Sequence, residues 1–366
     1  MQISRTKLVY LSFLSHERLL IKLAAYGITG NVLSWIRGFL ANRHQKVRVG
    51  SEHSQSERVL SGIPQGSILG PVLFTIFIND LPDCVESTCK VFADDTKVYN
   101  DPDNKDILQK DLCHLQAWSQ EWKLLFNVQK CKVVHVGKKN PMTEYCMGTD
   151  ANAEPITVCE EEKDLGVVFD NSLKFDVHIY RSVSKANQMI DLIKRTFTYL
   201  NKEIFLKLYK ALVRPHLEYG NLIWHPYLKR QSVTIERMQR RSTKILKECK
   251  DMTYEERLRY LQLPSLKSRR LRNDLIETFK IFHGYVNIDF DNFFTLNKTD
   301  ITRNQEGKLF LNRFNTNIRK NFFSNRIVHY WNNLPRKVKF APNLNTFKNL
   351  LDMNTKFKED LYDFDE

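Results

Sequence analysis

Two runs of residues that favour β-strands flank a pair of adjacent aspartates between Cys89 and Tyr99. This pattern predicts an antiparallel hairpin with Asp94 and Asp95 at its tip. Two carboxylates so close together repel each other, and a divalent cation between them removes that cost. Oxygen ligands of this kind suit Mg²⁺. The hairpin therefore commits part of the chain to an antiparallel sheet, and its tip is either a solvated turn or part of a metal site.

Apolar residues elsewhere recur three or four positions apart, which is typical of helices. Helices are predicted over residues 16–26, 31–40, 68–81 and 107–126, and strands over residues 46–49, 133–136 and 165–169. Glycine and proline cluster in residues 61–67, before an apolar helix, and predict a turn with unusual backbone angles. Residues from about 40 to 175 are thus expected to form an α+β domain with an antiparallel sheet, followed by helices from about 180 to 275.

Positive charge is concentrated in one part of the chain. The 366 residues include 56 Lys and Arg and 42 Asp and Glu, a net charge of +14. Between Arg181 and Leu275, 22 basic and nine acidic residues account for +13 of that excess. One predicted helix in this segment carries on one face Arg237, Arg240, Arg241, Lys244 and Lys247. Its opposite face carries Met238, Ile245 and Cys249. A solvated surface would explain such a stripe, but the size of the excess favours contact with a polyanion.

Seven cysteines are spread along the chain without a Cys-x-x-Cys pair. Their odd number and wide spacing argue against a disulfide framework or a structural zinc site and indicate a reducing compartment. The longest apolar run, residues 68–78, is interrupted by Gly70 and Pro71 and is shorter than the ~20 residues that cross a bilayer. The protein is therefore expected to be soluble and intracellular, with neither a membrane nor a disulfide-linked partner.

The turn and the hairpin also resemble known motifs. Ser61-Gly-Ile-Pro-Gln-Gly-Ser-Ile-Leu-Gly-Pro71 followed by Phe92-Ala-Asp-Asp95 is similar to the palm of reverse transcriptases. Leu73-Phe-Thr-Ile-Phe-Ile-Asn-Asp-Leu-Pro82 more closely resembles the polymerases of non-LTR (LINE-type, jockey-like) retrotransposons. Segments similar to the motif D, primer grip, thumb and C-terminal region of that family follow at residues 127–131, 164–170, 208–224 and 331–335. The resemblance covers most of the chain, from about residue 16 to 351.

This resemblance implies a right-hand polymerase fold of the α+β class. Residues 1–175 would form the palm, an antiparallel sheet packed on helices. Residues 176–275 would form a basic, all-α thumb, and residues 276–366 a helical C-terminal region. The implied activity is RNA-directed DNA polymerisation by two-metal nucleotidyl transfer with Mg²⁺. The implied partners are an RNA template, a DNA primer and deoxynucleoside triphosphates, and copying at chromosomal DNA makes the nucleus the expected location.

Site residues follow from the same resemblance, position by position. Asp94 would be a catalytic metal ligand and Asp95 its less essential neighbour. The template and the incoming nucleotide would be bound by Gly62, Pro64, Gln65, Gly66 and Phe92. Lys130 would lie near the pyrophosphate, unless it is a solvated loop lysine. The nucleic-acid backbone would be held by Arg237, Arg240, Arg241, Lys244 and Lys247.

The first strand of the palm departs from the family pattern. In the family this strand carries two aspartates ahead of a histidine, and aligning that histidine with His16 puts Thr6 and Ser12 in their places. No Asp or Glu occurs in the first 16 residues, so the partner carboxylate of Asp94 is missing. The fingers and any endonuclease segment are missing as well. Residues 5–14, which are apolar and tolerate β-structure, are expected to act as a substitute strand.

These departures predict an N-terminally truncated palm–thumb fragment that is inactive or strongly impaired as a polymerase. Losing a direct metal ligand should cost more than the ~10–100-fold lost with outer-shell partners. The alternative is a non-catalytic remnant of a transposable element that binds RNA or a hybrid duplex through charge. An intron-maturase-like splicing factor would share the palm, but segments 73–82 and 331–335 favour the retrotransposon branch. The sequence does not define the template or target-site specificity or the oligomeric state. It also does not decide whether the protein is expressed.

Overall fold

The chain folds as two compact units, seen in a computed structural model. It describes residues 2–7, 14–148, 153–297 and 306–354, with the backbone alone for residues 2–7. The first unit comprises Met1–Glu162 and Asp170–Ser172, and the second comprises Lys163–Phe169 and Leu173–Glu366. The first unit combines a sheet with helices, and the second is mainly helical, which confirms the α+β class. No helix among the described residues is both long and apolar enough to cross a bilayer.

Short strands and longer helices build the first unit. Its helices are α1 (His16–Ala25), α2 (Gly30–Leu40), α3 (Leu69–Ile78) and α4 (Lys105–Trp122). Its strands are β1 (Gln2–Lys7), β2 (His44–Gln45), β3 (Arg48–Val49), β4 (Glu52–His53), β5 (Glu57–Arg58), β6 (Thr88–Phe92), β7 (Asp95–Asn100), β8 (Lys132–His135), β9 (Cys146–Met147), β10 (Glu154–Pro155) and β11 (Thr157–Val158). The predicted helices and the predicted hairpin are confirmed to within a few residues. The strand predicted over residues 46–49 is replaced by the two-residue strands β2 and β3.

A five-stranded sheet organises this unit, in the order β11-β8-β1-β7-β6. β1 lies at the centre and pairs antiparallel with both β7 and β8. The N-terminal residues thus supply a strand, as predicted, but it covers Gln2–Lys7 rather than residues 5–14. Residues 8–13 of that predicted strand, Ser12 included, lie outside the described residues.

Side chains alternate between a core face and an open face of the sheet, because successive residues of a strand point to opposite sides. On β7, Thr96 and Val98 are fully buried, whereas Lys97 and Tyr99 are partly exposed. The core face packs against α1, α3 and α4 through Leu19, Leu23, Leu73, Phe77, Leu108, Leu112, Val98 and Val133. The open face is therefore free of these helices and carries the hairpin tip at one end.

One buried lysine ties α1 to the segment after α3. The Nζ of Lys22 donates hydrogen bonds to the carbonyl oxygen of Phe77 (2.6 Å) and to Oδ1 of Asp80 (2.5 Å). It also lies 4.5 and 3.9 Å from the ring centroids of Trp118 and Trp122 on α4. A buried ammonium needs such partners, because burial alone lowers its pKa, as it does for Lys22. This contact fixes the turn that leads from α3 into the hairpin.

The chain passes between the units within the hairpin of β12 (Glu161–Asp164) and β13 (Val167–Asp170), and the helices of the second unit follow. Its helices are α5 (Asp176–Thr196), α6 (Lys202–Leu208), α7 (Arg214–Glu218), α8 (Asn221–Trp224), α9 (Lys229–Thr243), α10 (Tyr254–Leu261), α11 (Leu266–Phe282), α12 (Asn317–Asn321), α13 (Phe323–Arg326), α14 (Val328–Asn332), α15 (Arg336–Lys339) and α16 (Leu344–Met353). A π-helical turn, Tyr209–Val213, joins α6 to α7.

Two hydrophobic clusters fill the second unit. One extends from Val167 to Leu266 and the other from Leu275 to Leu351, with Trp331 and Phe347 fully buried in the second. Helix α11 contributes to both clusters. The boundary predicted between residues 275 and 276 therefore falls inside one continuous helix.

Candidate functional site

The aspartate pair sits at the tip of the β6–β7 hairpin, as the sequence predicts. Phe92 pairs with Asp95, and the chain reverses through Ala93 and Asp94. Ala93 adopts a left-handed backbone conformation, with φ of +50°, which makes the turn tight. Asp94 is exposed and Asp95 is half-buried, while 63% of the Phe92 side chain remains exposed. The tip thus presents carboxylates and an aromatic ring together at the end of the sheet.

The strand that faces this tip carries no carboxylate. The register of β1 places Thr6 opposite Thr96 and Lys7 opposite Asp95. The six residues of β1 include two cations and no Asp or Glu. Across the described part of the chain, no three His, Cys, Asp or Glu side chains are grouped so that they could hold a metal ion. Because a pair of divalent cations needs more anionic ligands than Asp94 and Asp95 supply, the residues present do not fit a two-metal Mg²⁺ site.

A row of cations crosses the open face of the sheet instead. Lys90 on β6 pairs with Lys97 on β7, Lys97 pairs with Arg5 on β1, and Arg5 pairs with Lys132 on β8. Paired residues of an antiparallel ladder share one face, and neighbouring strands lie about 4.8 Å apart. We call Lys90, Lys97, Arg5 and Lys132 the cation row. On β7 the row alternates with the buried Thr96 and Val98, whereas on β8 Val133, Val134 and His135 are all buried next to Lys132. Sequence reasoning missed the row because the pairing is non-local.

The two outer members of the cation row, Lys90 and Lys132, are not neutralised from within the described part of the chain. Lys90 is exposed and Lys132 half-buried, and neither has a carboxylate within 4.0 Å among the residues that the structure describes. Like charges placed opposite each other destabilise a sheet. Lys90 and Lys132 therefore carry positive charge that an external polyanion would neutralise.

The glycine-rich turn, residues 61–67, is buried and hydrogen-bonded at its first glycine and exposed at its second. Gly62 is buried, with φ of +81°. Its N–H donates to the carbonyl of Leu14 (2.8 Å), and its carbonyl accepts from Nη2 of Arg43 (2.5 Å) and lies 2.7 Å from Nε2 of His16. Gln65 and Gly66, in contrast, are exposed. The contacts of Gly62 hold the turn in place, so Gln65 and Gly66 are the residues of the turn that are accessible to a ligand.

Pro64 and Lys130 are the two remaining residues of the predicted template and nucleotide pocket. Pro64 is half-buried, and its carbonyl accepts from Oγ of Ser67 at 2.8 Å. Lys130 is exposed on the 3₁₀ turn Val128–Lys130, which packs beside β1. A role for Lys130 near a pyrophosphate stays a prediction.

The basic residues predicted on one helix of the second unit are only partly brought together. Arg237, Arg240, Arg241 and Lys244 line a shallow concavity of about 370 Å³, which Lys194 of α5 also lines. Lys247 is not part of it, because α9 ends at Thr243 and Lys247 lies in a separate 3₁₀ turn, Lys247–Cys249. The prediction of one helical stripe that includes Lys247 is therefore wrong. Met238 and Cys249 are buried, but Ile245 lines the concavity together with the basic residues, so its predicted placement on the opposite face is wrong.

Internal partners reduce the free charge of this concavity. Nη2 of Arg241 donates to Oδ1 of Asp191 at 2.9 Å, and its Nη1 donates to Asn187 at 3.0 Å. The guanidinium of Arg240 lies 5.0 Å from the ring centroid of Tyr254. Arg237 and Lys244 have no carboxylate within 4.0 Å in the described ranges, so their charge faces solvent.

Comparison with known proteins agrees with the motifs. A model of the family described as reverse transcriptase (RNA-dependent DNA polymerase) matches residues 14–200, just over half of the chain. The "RNA-directed DNA polymerase from mobile element jockey" of Drosophila melanogaster is 28% identical over 202 residues, 50% of this chain and 22% of that protein. The protein of the same name in Drosophila funebris is 27% identical over 287 residues, 73% of this chain and 30% of that protein.

A third relative is the "Probable RNA-directed DNA polymerase from transposon X-element" of Drosophila melanogaster. It is 25% identical over 230 residues, 58% of this chain and 25% of that protein. The chain thus spans between 22% and 30% of the length of these relatives.

Proposed function

The chain belongs to the reverse transcriptase (RNA-dependent DNA polymerase) family, jockey-like in its similarity, and from that premise we propose that it binds an RNA template paired with a DNA primer. The duplex would lie on the open face of the five-stranded sheet, with its end at the Asp94–Asp95 tip. The observation that carries this proposal is the cation row. Four cations on successive strands span about 14 Å, which suits the phosphates of a nucleic-acid backbone.

The concavity on α9 supports the same proposal. Arg237 and Lys244 would hold a nucleic-acid backbone, as a thumb does, and without sequence preference. The exposed Gln65 and Gly66 would meet the template or the incoming nucleotide, and Phe92 would stack on a base. These placements are proposals for an RNA template, a DNA primer and deoxynucleoside triphosphates as partners.

We further propose that this chain polymerises DNA slowly or not at all. Family members generally use divalent metal ions, and two such ions require carboxylates from two separate strands. β1 offers Thr6 where the family pattern has its first aspartate, and Lys7 lies opposite Asp95. The protein would then keep the nucleic-acid-binding surface of its family while lacking the charge that holds the metals.

Reversing two charges of the cation row tests the binding surface. The double variant Lys90→Glu/Lys132→Glu should bind an RNA–DNA hybrid at least 10-fold more weakly, because two phosphate contacts become repulsive. Fluorescence anisotropy at several salt concentrations should also show a salt slope reduced by about two. The matched control is Lys105→Glu/Lys123→Glu, at the two ends of α4, which packs on the core face. Equal losses in both double variants would mean that net charge alone drives binding, and no loss in either would overturn the proposal.

A further inference from the structure

A cavity of about 640 Å³ lies in the second unit, between α11 and the short helices α12 to α14. This volume is in the range of sites that bind small molecules. None of the individual site residues that the resemblance assigns lines it. The cavity is therefore separate from the aspartate tip and from the basic concavity of α9.

Three buried polar atoms of residues that line the cavity lack hydrogen-bond partners. They are Oγ of Ser268, Oδ1 of Asn325 and Nδ1 of His225, and the statement holds for the ranges that the structure describes. Ser268 and Asn325 are only 2% and 4% exposed. Buried polar groups are nearly always bonded, because leaving one unpaired costs its desolvation free energy. Three such atoms around one cavity indicate that something polar normally fills it.

Hydrogen bonds and ion pairs fix the charged side chains that line the cavity. Arg326 donates to both carboxylate oxygens of Asp274, at 2.8 and 2.9 Å, and to the carbonyl of Leu222 at 2.9 Å. Nδ1 of His225 lies 3.5 Å from Oδ2 of Asp274. Burial, with the charges of Arg326 and Arg270 added, lowers the pKa of His225 well below its usual value, so the ring is neutral at pH 7. A neutral imidazole offers one donor and one acceptor to a ligand.

The rim supplies aromatic rings and positive charge. Phe314 and Tyr330 line the cavity and are 38% and 45% exposed, so each has a face available for stacking. Lys320 lines it as well and is exposed. These three features match the parts of a nucleotide. The interior groups can bond to the edge of a base, the aromatic rim can stack on its ring, and the outer cation can pair with its phosphate.

We propose that this cavity binds a single unpaired ribonucleotide. The base edge bonds to Ser268, Asn325 and His225, the base stacks on Phe314 or Tyr330, and the phosphate lies near Lys320. The choice of a nucleotide over other planar polar ligands rests on the proposed nucleic-acid-binding function. The cavity would then hold a single-stranded part of the RNA while the sheet holds the duplex.

The test is calorimetric titration of the full chain with each of the four ribonucleoside 5′-monophosphates. Ser268→Ala should weaken binding of the preferred nucleotide at least 10-fold and should raise the Tm of the free protein, because an unbonded buried hydroxyl is removed. The matched control is Ser242→Ala, since the hydroxyl of Ser242 is equally buried but donates to the carbonyl of Met238 at 2.7 Å. This control should lower the Tm or leave it unchanged and should bind the nucleotide as the unmodified chain does.

Several results would overturn the inference. The unmodified chain could fail to bind any of the four nucleotides at millimolar concentration, or Ser268→Ala could bind as tightly as the unmodified chain. A lower Tm for Ser268→Ala with unchanged affinity would mean that water satisfies the hydroxyl. The Lys90→Glu/Lys132→Glu variant separates the two proposals, because it should lose the hybrid duplex and keep the mononucleotide. If the unmodified chain binds the hybrid duplex but none of the mononucleotides, the proposed nucleotide site in the cavity is refuted and the proposed duplex-binding surface is not.

Discussion

Thr6→Asp is expected to raise Mg²⁺-dependent primer extension on an RNA template by about 100-fold or more. The substitution returns a carboxylate to the position that the family pattern assigns to a metal ligand, on the strand paired with β7. A direct ligand should matter more than the outer-shell groups whose loss costs ~10–100-fold.

Three further variants make this experiment decisive. Thr6→Asn has similar size but no charge and should remain as slow as the unmodified chain. Thr6→Asp combined with Asp94→Ala should lose the gain, because the tip then lacks the metal ligand that the family pattern assigns to Asp94. Calorimetric titration with Mg²⁺ gives a second readout, in which Thr6→Asp alone should bind the ion measurably tighter. Robust synthesis by the unmodified chain that disappears in Asp94→Ala would contradict the proposed lack of activity.

Asp274→Ala is expected to cost about 3–5 kcal/mol of unfolding free energy, because it leaves the guanidinium of Arg326 buried without its counter-charge. The side chains of Asp274 and Arg326 are only 3% and 11% exposed. The pair joins α11 to α13, so its loss should loosen the wall of the 640 Å³ cavity. Urea denaturation followed by circular dichroism measures the change.

The double variant Asp274→Leu/Arg326→Met is the appropriate control. Replacing both partners by apolar side chains removes the charges together, so most of the stability should return. If the double variant were as unstable as Asp274→Ala, packing rather than an unpaired charge would explain the loss. That result would also remove the electrostatic account of this cavity wall.

Local patterns predicted the elements that depend on neighbours in sequence. The hairpin follows from two β-prone runs around Asp94 and Asp95, and α1 and α4 follow from apolar residues at helical spacing. The end of α9 did not follow from spacing. The hydroxyls of Ser242 and Thr243 donate to the carbonyls of Met238 and Arg240, and such bonds compete with helix continuation.

Features that depend on pairing distant segments could not be predicted. The cation row requires the register of four strands, and the sequence shows only isolated lysines there. Gly62 was predicted to line a ligand pocket from its motif. Its carbonyl instead contacts His16 and Arg43, which spacing alone does not connect. The aspartate tip was placed correctly because both of its strands are adjacent in sequence.

The central position of β1 has a consequence for how the first unit forms during synthesis. Lys7 pairs with Asp95 and Gln2 with His135, so β1 is synthesised well before both of its partner strands. Contacts between such distant residues slow folding. Until β1 pairs with them, β7 and β8 each have an unpaired edge to which strands of other chains can bind. Pairing of the six residues of β1 thus determines whether the nascent protein assembles its sheet or aggregates.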